Sequence, residues 1–180
     1  MTRLIDSIQK NMGYQPLYKI DPNTLDILRD EKSFGSRYIV QAALPSVVCG
    51  FYEWFHLAAE NLEVLKSDQS DWLEIIFNKK KPELLGRIAA YADASVFLSQ
   101  HESELIANET ARLVKAQINE KSDYEYLNLY LLHERNEALF YLPAAIRMGT
   151  IMKNNTIDDR THKMEGPISS LMHSIENHFE

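Results

Sequence analysis

The feature that most constrains this chain is a run of apolar side chains between positions 36 and 65. Leu44, Val47, Val48, Phe51, Phe55, Ala58, Leu62 and Leu65 recur at three and four residues, the period of one helical face. A half-buried strand needs strict alternation, and alternation over a strand length is hard to find anywhere in the sequence. The helical period returns from Pro82 to Asn119, through Leu84, Leu85, Ile88, Val96, Leu98, Leu105, Ile106, Leu113, Val114 and Ile118, and again from Tyr124 to Met152. The expected fold is therefore all-α: a single compact multi-helix bundle with two long proline-kinked helices, in which all 180 residues form one domain.

Local signals set the expected boundaries. A short helix covers Arg3 to Met12, with Thr2 as a possible cap and Gly13 as its stop. Pro16 and Pro22 forbid regular helix in the next stretch, and Asn23 or Thr24 caps a turn from Leu25 to Asp30. Pro45 interrupts the first long helix (Ser36 to Leu65) and Pro143 the last (Tyr124 to Met152), each predicting a kink or break. Ser70 or Asp71 caps a short helix at Trp72, and Pro82 opens the next at a first-turn position. The pattern from Pro82 to Asn119 is either one helix or two, with a possible break near residues 92–95. The tail has a capping-box-like Thr156 and Asp159, a Gly166-Pro167 restart, and a docking face of Ile168, Leu171, Met172 and Ile175.

One internal echo stands out. Ala43-Leu44-Pro45 leads to Gly50, and Tyr141-Leu142-Pro143 leads to Gly149. A proline bends a helix, and a small-residue surface one or two turns later lets another backbone come close. Ala42, Ala43, Leu44, Pro45 and Gly50, with the looser copy Leu142, Pro143 and Gly149, resemble a family of uncharacterised small helical bacterial proteins with an Ala-Ala-Leu-Pro…Gly helix. The resemblance covers about a quarter of the chain and implies a helical fold; it carries no activity.

Composition narrows the function. Apolar residues make up 45% and charged residues 25%, an ordinary globular balance. A net charge of −7 offers no basic footprint for nucleic acid. Lys79, Lys80 and Lys81 are expected to form a solvated loop. Cys49 is alone, so no internal disulfide is expected and a buried small hydrophobe is the simplest reading. No run approaches the ~18 apolar residues of a membrane span, and the first residues lack a secretory apolar core, which points to a cytoplasmic protein without a membrane partner.

The strongest chemical constellation pairs histidine with glutamate on each long helix: Glu53 with His56, His101 with Glu104, and His133 with Glu137. Spacings of three and four put each pair on one helical face. Dinuclear iron or manganese bundles combine two Glu-x-x-His pairs with single glutamates from two other helices. This chain has one Glu-x-x-His, and His101-x-x-Glu104 runs in reverse. His101 shares a stripe with Ala94, Leu98 and Leu105, and His133 shares one with Leu129 and Phe140, so both are expected to face inward. A mixed nitrogen and oxygen set suits zinc, iron or manganese, the only cofactor the residues suggest. The competing reading is a set of surface pairs worth about 0.2–0.5 kcal/mol each.

No Gly-rich phosphate loop, G-x-S-x-G or H-E-x-x-H occurs, and the Asn154 to Arg160 stretch lacks the turn glycine and distal glutamate of an EF-hand. Two aromatic clusters, Phe51, Tyr52, Trp54 and Phe55, then Tyr124, Tyr126 and Tyr130, suit a core plus a subunit interface. The expected function is a soluble interaction or structural protein that self-associates, without a catalytic constellation. The alternatives are a metal-binding bundle using the six residues above and a bundle holding a small apolar ligand between kinked helices.

Overall fold

The computed structural model describes residues 3–20, 35–118, 123–154 and 157. Among them are eight α-helices: α1 (Leu4–Met12), α2 (Ser36–His56), α3 (Asn61–Lys66), α4 (Trp72–Phe77), α5 (Lys81–Ala92), α6 (Val96–Lys115), α7 (Tyr124–Ala138) and α8 (Met148–Met152). Two 3-10 turns, Asn78–Lys80 and Ala144–Ile146, precede α5 and α8, and no strand occurs among the described residues. The all-α class follows from the spacing of the apolar side chains. The expected helical turn at Leu25 to Asp30, the Thr2 cap, the Thr156–Asp159 box and the docking face at 168–175 lie outside the described residues.

Helix α2 is the axis of the molecule. Every residue from 38 to 53 is buried, and α1, α3, α4, α5, α6, α7 and α8 all pack against it. A helix that is apolar on every side must be enclosed by others, and the sequence of α2 meets that condition. Gln41 and Ser46, buried within it, are hydrogen-bonded. Gln41 accepts from the Tyr18 amide at 2.8 Å and donates to the carbonyls of Tyr18 at 3.0 Å and Tyr141 at 2.8 Å. The Ser46 hydroxyl donates to the Ala42 carbonyl at 2.7 Å, one residue after Pro45, which lies fully inside the helix.

Short polar residues and left-handed turns cut the elements. Gly13, at φ +68°, ends α1, and Asp93, at φ +51°, ends α5. Asp71 caps α4 by accepting from the Glu74 amide at 3.1 Å, Ser95 caps α6 through the Leu98 amide at 3.2 Å, and Asp123 caps α7 through the Tyr126 amide at 2.9 Å. Residues 93–95 thus divide the 82–119 pattern into two helices. The lysine run is no loop. Lys79 and Lys80 belong to a 3-10 turn, and Lys81 begins α5 with its Nζ 2.6 Å from Glu74 Oε2.

Two expected boundaries differ. The first long helix stops at His56, because Asn61 Nδ2 donates to the Trp54 carbonyl at 2.7 Å and turns the chain into the separate α3. The last expected helix ends at Ala138. The carbonyls of Phe140 and Tyr141 accept from the Ile20 amide and from Gln41, so they are withdrawn from any helical ladder. Pro143 then takes an extended conformation, φ −65° and ψ 132°, ahead of the 3-10 turn. Arg87 on α5 holds that turn by donating to the Ile146 carbonyl at 2.8 Å and the Arg147 carbonyl at 3.1 Å. Pro143 therefore separates two elements rather than kinking one, and the two Leu-Pro echoes occupy different structural settings.

Candidate functional site

The only one of the six candidate ligands with a fully buried carboxylate is Glu53, 8% exposed in the last two turns of α2. Its environment is organised by α7. Arg135 Nε lies 3.4 Å from Glu53 Oε1, and Asn154 Nδ2 donates to both Glu53 oxygens at 3.1 Å. The Arg135 guanidinium also sits 5.5 Å from the centroid of Tyr52. A charge is costly to bury unless it is paired and hydrogen-bonded, and this carboxylate is both. Cys49, fully buried beside this pair, has its thiol pushed up to about 12 by burial, as befits an inert small hydrophobe.

A second buried carboxylate lies next door. Glu134 is 3% exposed and accepts from the Leu4 amide at 2.7 Å, which supplies a partner for a first-turn donor of α1. Burial holds its carboxyl above the usual glutamate range, and the Leu4 amide opposes that shift. Burial and the nearby Glu134 likewise raise the Tyr130 phenol. In the "HERNE" stretch, the residues that matter inside are thus Glu134 and Arg135, not the His133 and Glu137 that the metal pattern selects. The sequence signal was present: Leu127, Leu131, Glu134, Arg135 and Ala138 form one helical face, and two of its members are charged.

The remaining candidate ligands are dispersed. His56 is exposed and stacks on Tyr52, with ring centroids 5.3 Å apart and planes 17° from parallel. Glu104 accepts from Gln100 Nε2 at 2.7 Å, and Glu137 pairs with Arg3 at 3.1 Å. His101 and His133 are exposed, which corrects their expected inward placement. Among the described residues, no group of three or more His, Cys, Asp or Glu side chains is arranged to hold a metal ion. The first aromatic cluster enters the core, with Phe51, Tyr52 and Phe55 buried and Phe51 and Trp54 packed on Trp72; of the second, Tyr124 stacks on Phe55 at 5.2 Å while Tyr126 is exposed.

The reason His101 faces out also defines a surface. Helix α6 turns Ser99, Ser103, Ile106, Ala107, Thr110, Ala111 and Val114 inward, and its main neighbour is α2. Small side chains on that face let the two helices approach closely. The larger apolar residues are left outside: Val96 is 51% exposed, Phe97 78%, Leu98 50% and Leu105 42%. The expected core stripe of Leu98, His101 and Leu105 is therefore an external ridge. Helix α7 repeats the inversion on a smaller scale, with Tyr126, Leu129 and His133 exposed, and Phe140 exposed in the turn that follows it. Among the described residues, no helix is long and apolar enough to cross a membrane. No protein-family model, curated protein or solved structure matches the chain.

Proposed function

We propose that the protein is a helical interaction module that self-associates, with the outer ridge of α6 as the contact surface. One observation carries this reading: α6 buries its serines and alanines and exposes Val96, Phe97, Leu98 and Leu105. Together these four side chains offer roughly 400 Å² of apolar surface, within the size range of patches that are often functional. Leu98 and Leu105 are one heptad apart, with His101 between them, the spacing of a helix-to-helix seam.

Charge favours a second copy as the occupant. Two chains of net charge −7 repel each other, so they meet most readily where acidic groups are absent. Residues 95–101 contain no Asp, Glu, Lys or Arg. Glu102 and Glu104 precede Leu105, so the seam with a second copy centres on Val96, Phe97 and Leu98. The ridge is about half the ~800 Å² per partner of a standard interface, the size of weak, reversible contacts. A cytoplasmic location is consistent with the one buried, unpaired thiol.

Sedimentation velocity over a concentration series tests the proposal. The wild-type chain should shift from monomer to dimer, and Phe97→Asp or Leu98→Asp should remain monomeric with an unchanged melting curve. A strict monomer well above ~100 μM, or a dimer indifferent to both substitutions, would overturn it.

A further inference from the structure

A cleft of about 370 Å³ opens between residues 13–17 and the first two turns of α2. Arg37 of α2 and Glu102 of α6 both line it. These opposite charges do not neutralise each other: among the described residues, neither belongs to an ion pair. Arg37 rests its guanidinium 4.3 Å from the Tyr18 ring centroid, and its Nε is buried without a hydrogen-bond partner among the described residues. The side chain is only partly buried and its guanidinium belongs to no ion pair among the described residues, so an incoming carboxylate would meet its terminal nitrogens in a charge-assisted bond. Glu102 accepts from the Tyr14 hydroxyl at 2.8 Å, which orients its carboxylate. Burial and that carboxylate both raise the Tyr14 phenol, keeping it a donor.

We infer that this cleft binds a small zwitterion of the α-amino-acid class, its carboxylate on Arg37 and its ammonium on Glu102. A simple anion would be attracted by Arg37 and repelled by Glu102, and a simple cation the reverse. A dipolar molecule satisfies both walls at once. The volume is at the small end of ligand sites, which suits an amino acid and leaves little room for a nucleotide. Leu17 and Val40 supply apolar wall for a side chain. Gln41 contributes shape alone, because its amide is already committed to Tyr18 and Tyr141.

The test is a thermal-shift screen of the full chain against the proteinogenic amino acids at about 10 mM, followed by titration calorimetry. At least one amino acid should raise the unfolding temperature and bind saturably. Arg37→Gln and Glu102→Gln should each weaken that binding at least tenfold; glutamine at 102 still accepts from Tyr14, and melts without ligand show whether each variant is folded. The carboxylic acid lacking the amino group should bind the wild type at least tenfold more weakly than the amino acid, and Glu102→Gln should erase that preference. The proposal fails if no amino acid binds, if both variants bind as the wild type does, or if the acid without its amino group binds equally well.

Discussion

Gly50 is the position where the packing of this bundle can be tested most sharply. A Cβ added there would lie 2.3 Å from Phe77 Cζ, 2.7 Å from Phe77 Cε1 and 3.1 Å from Ile76 Cγ2. Carbon atoms in contact prefer ~3.5–4.0 Å, so the ring must retreat by more than ~1 Å. Phe77 is 1% exposed and has no free space to move into without displacing neighbours. Alanine gains about 1 kcal/mol over glycine as a helix former, and overpacking costs about 1–3 kcal/mol. With two ring atoms in the clash, the cost lies at the upper end, and Gly50→Ala should lose about 2 kcal/mol net. In a chain of this size that lowers the midpoint of thermal unfolding by roughly 4–8 °C. Gly86 is the internal control: it is helical and exposed on α5, and an added Cβ meets nothing within 4 Å. Gly86→Ala should stabilise by about 0.5–1 kcal/mol. Urea unfolding followed by circular dichroism reads both, and Phe77→Leu in the Gly50→Ala background should recover part of the loss. If Gly50→Ala matches or exceeds the wild type in stability, α4 does not seat Phe77 against Gly50 of α2.

Three further outcomes follow from the buried polar groups. Arg135→Met leaves the Glu53 carboxylate inside without its cation and should cost about 3–5 kcal/mol in denaturant unfolding, whereas the double variant with Glu53→Met should be markedly less destabilised. Because the folded-state carboxyl of Glu134 titrates above its unfolded value, the folded state holds this proton more tightly, so its contribution to stability falls as pH rises from the ordinary glutamate range through the folded value. Glu134→Gln keeps an acceptor for the Leu4 amide and should remove that component of the pH profile. An unchanged stability profile between wild type and variant would contradict the burial of this side chain. Cys49, with its thiol held up to about 12 and no exposure, should resist a thiol reagent at pH 8 in the native state and react fully once the chain is unfolded. Rapid stoichiometric labelling of the native protein would refute its placement.

The helical period, the cap at Asp71, the break near residues 92–95, the Gly13 stop and the first-turn Pro82 were all legible, because each is a local property of a few neighbouring residues. What spacing alone misplaced was the orientation of α6 and α7. Both carry apolar residues around most of their circumference, so more than one face qualifies as core. On α6 the choice fell to the small face, since Ser99, Ser103, Ala107 and Ala111 admit a close approach to α2 that Phe97 and Leu98 would block.

The sequence by itself determined an all-helical chain, the positions of most helix starts and stops, and a lone thiol suited to the interior. Only the tertiary structure decided that Glu53 and Arg135 meet inside, that His101 and His133 point outward, and that the carbonyls beside Pro143 serve other segments instead of a helix. Propensity and capping act between residues a few positions apart. Pairings across 82 residues of chain, and the choice between two apolar faces of one helix, are settled by which neighbours complete the packing and satisfy the buried charges.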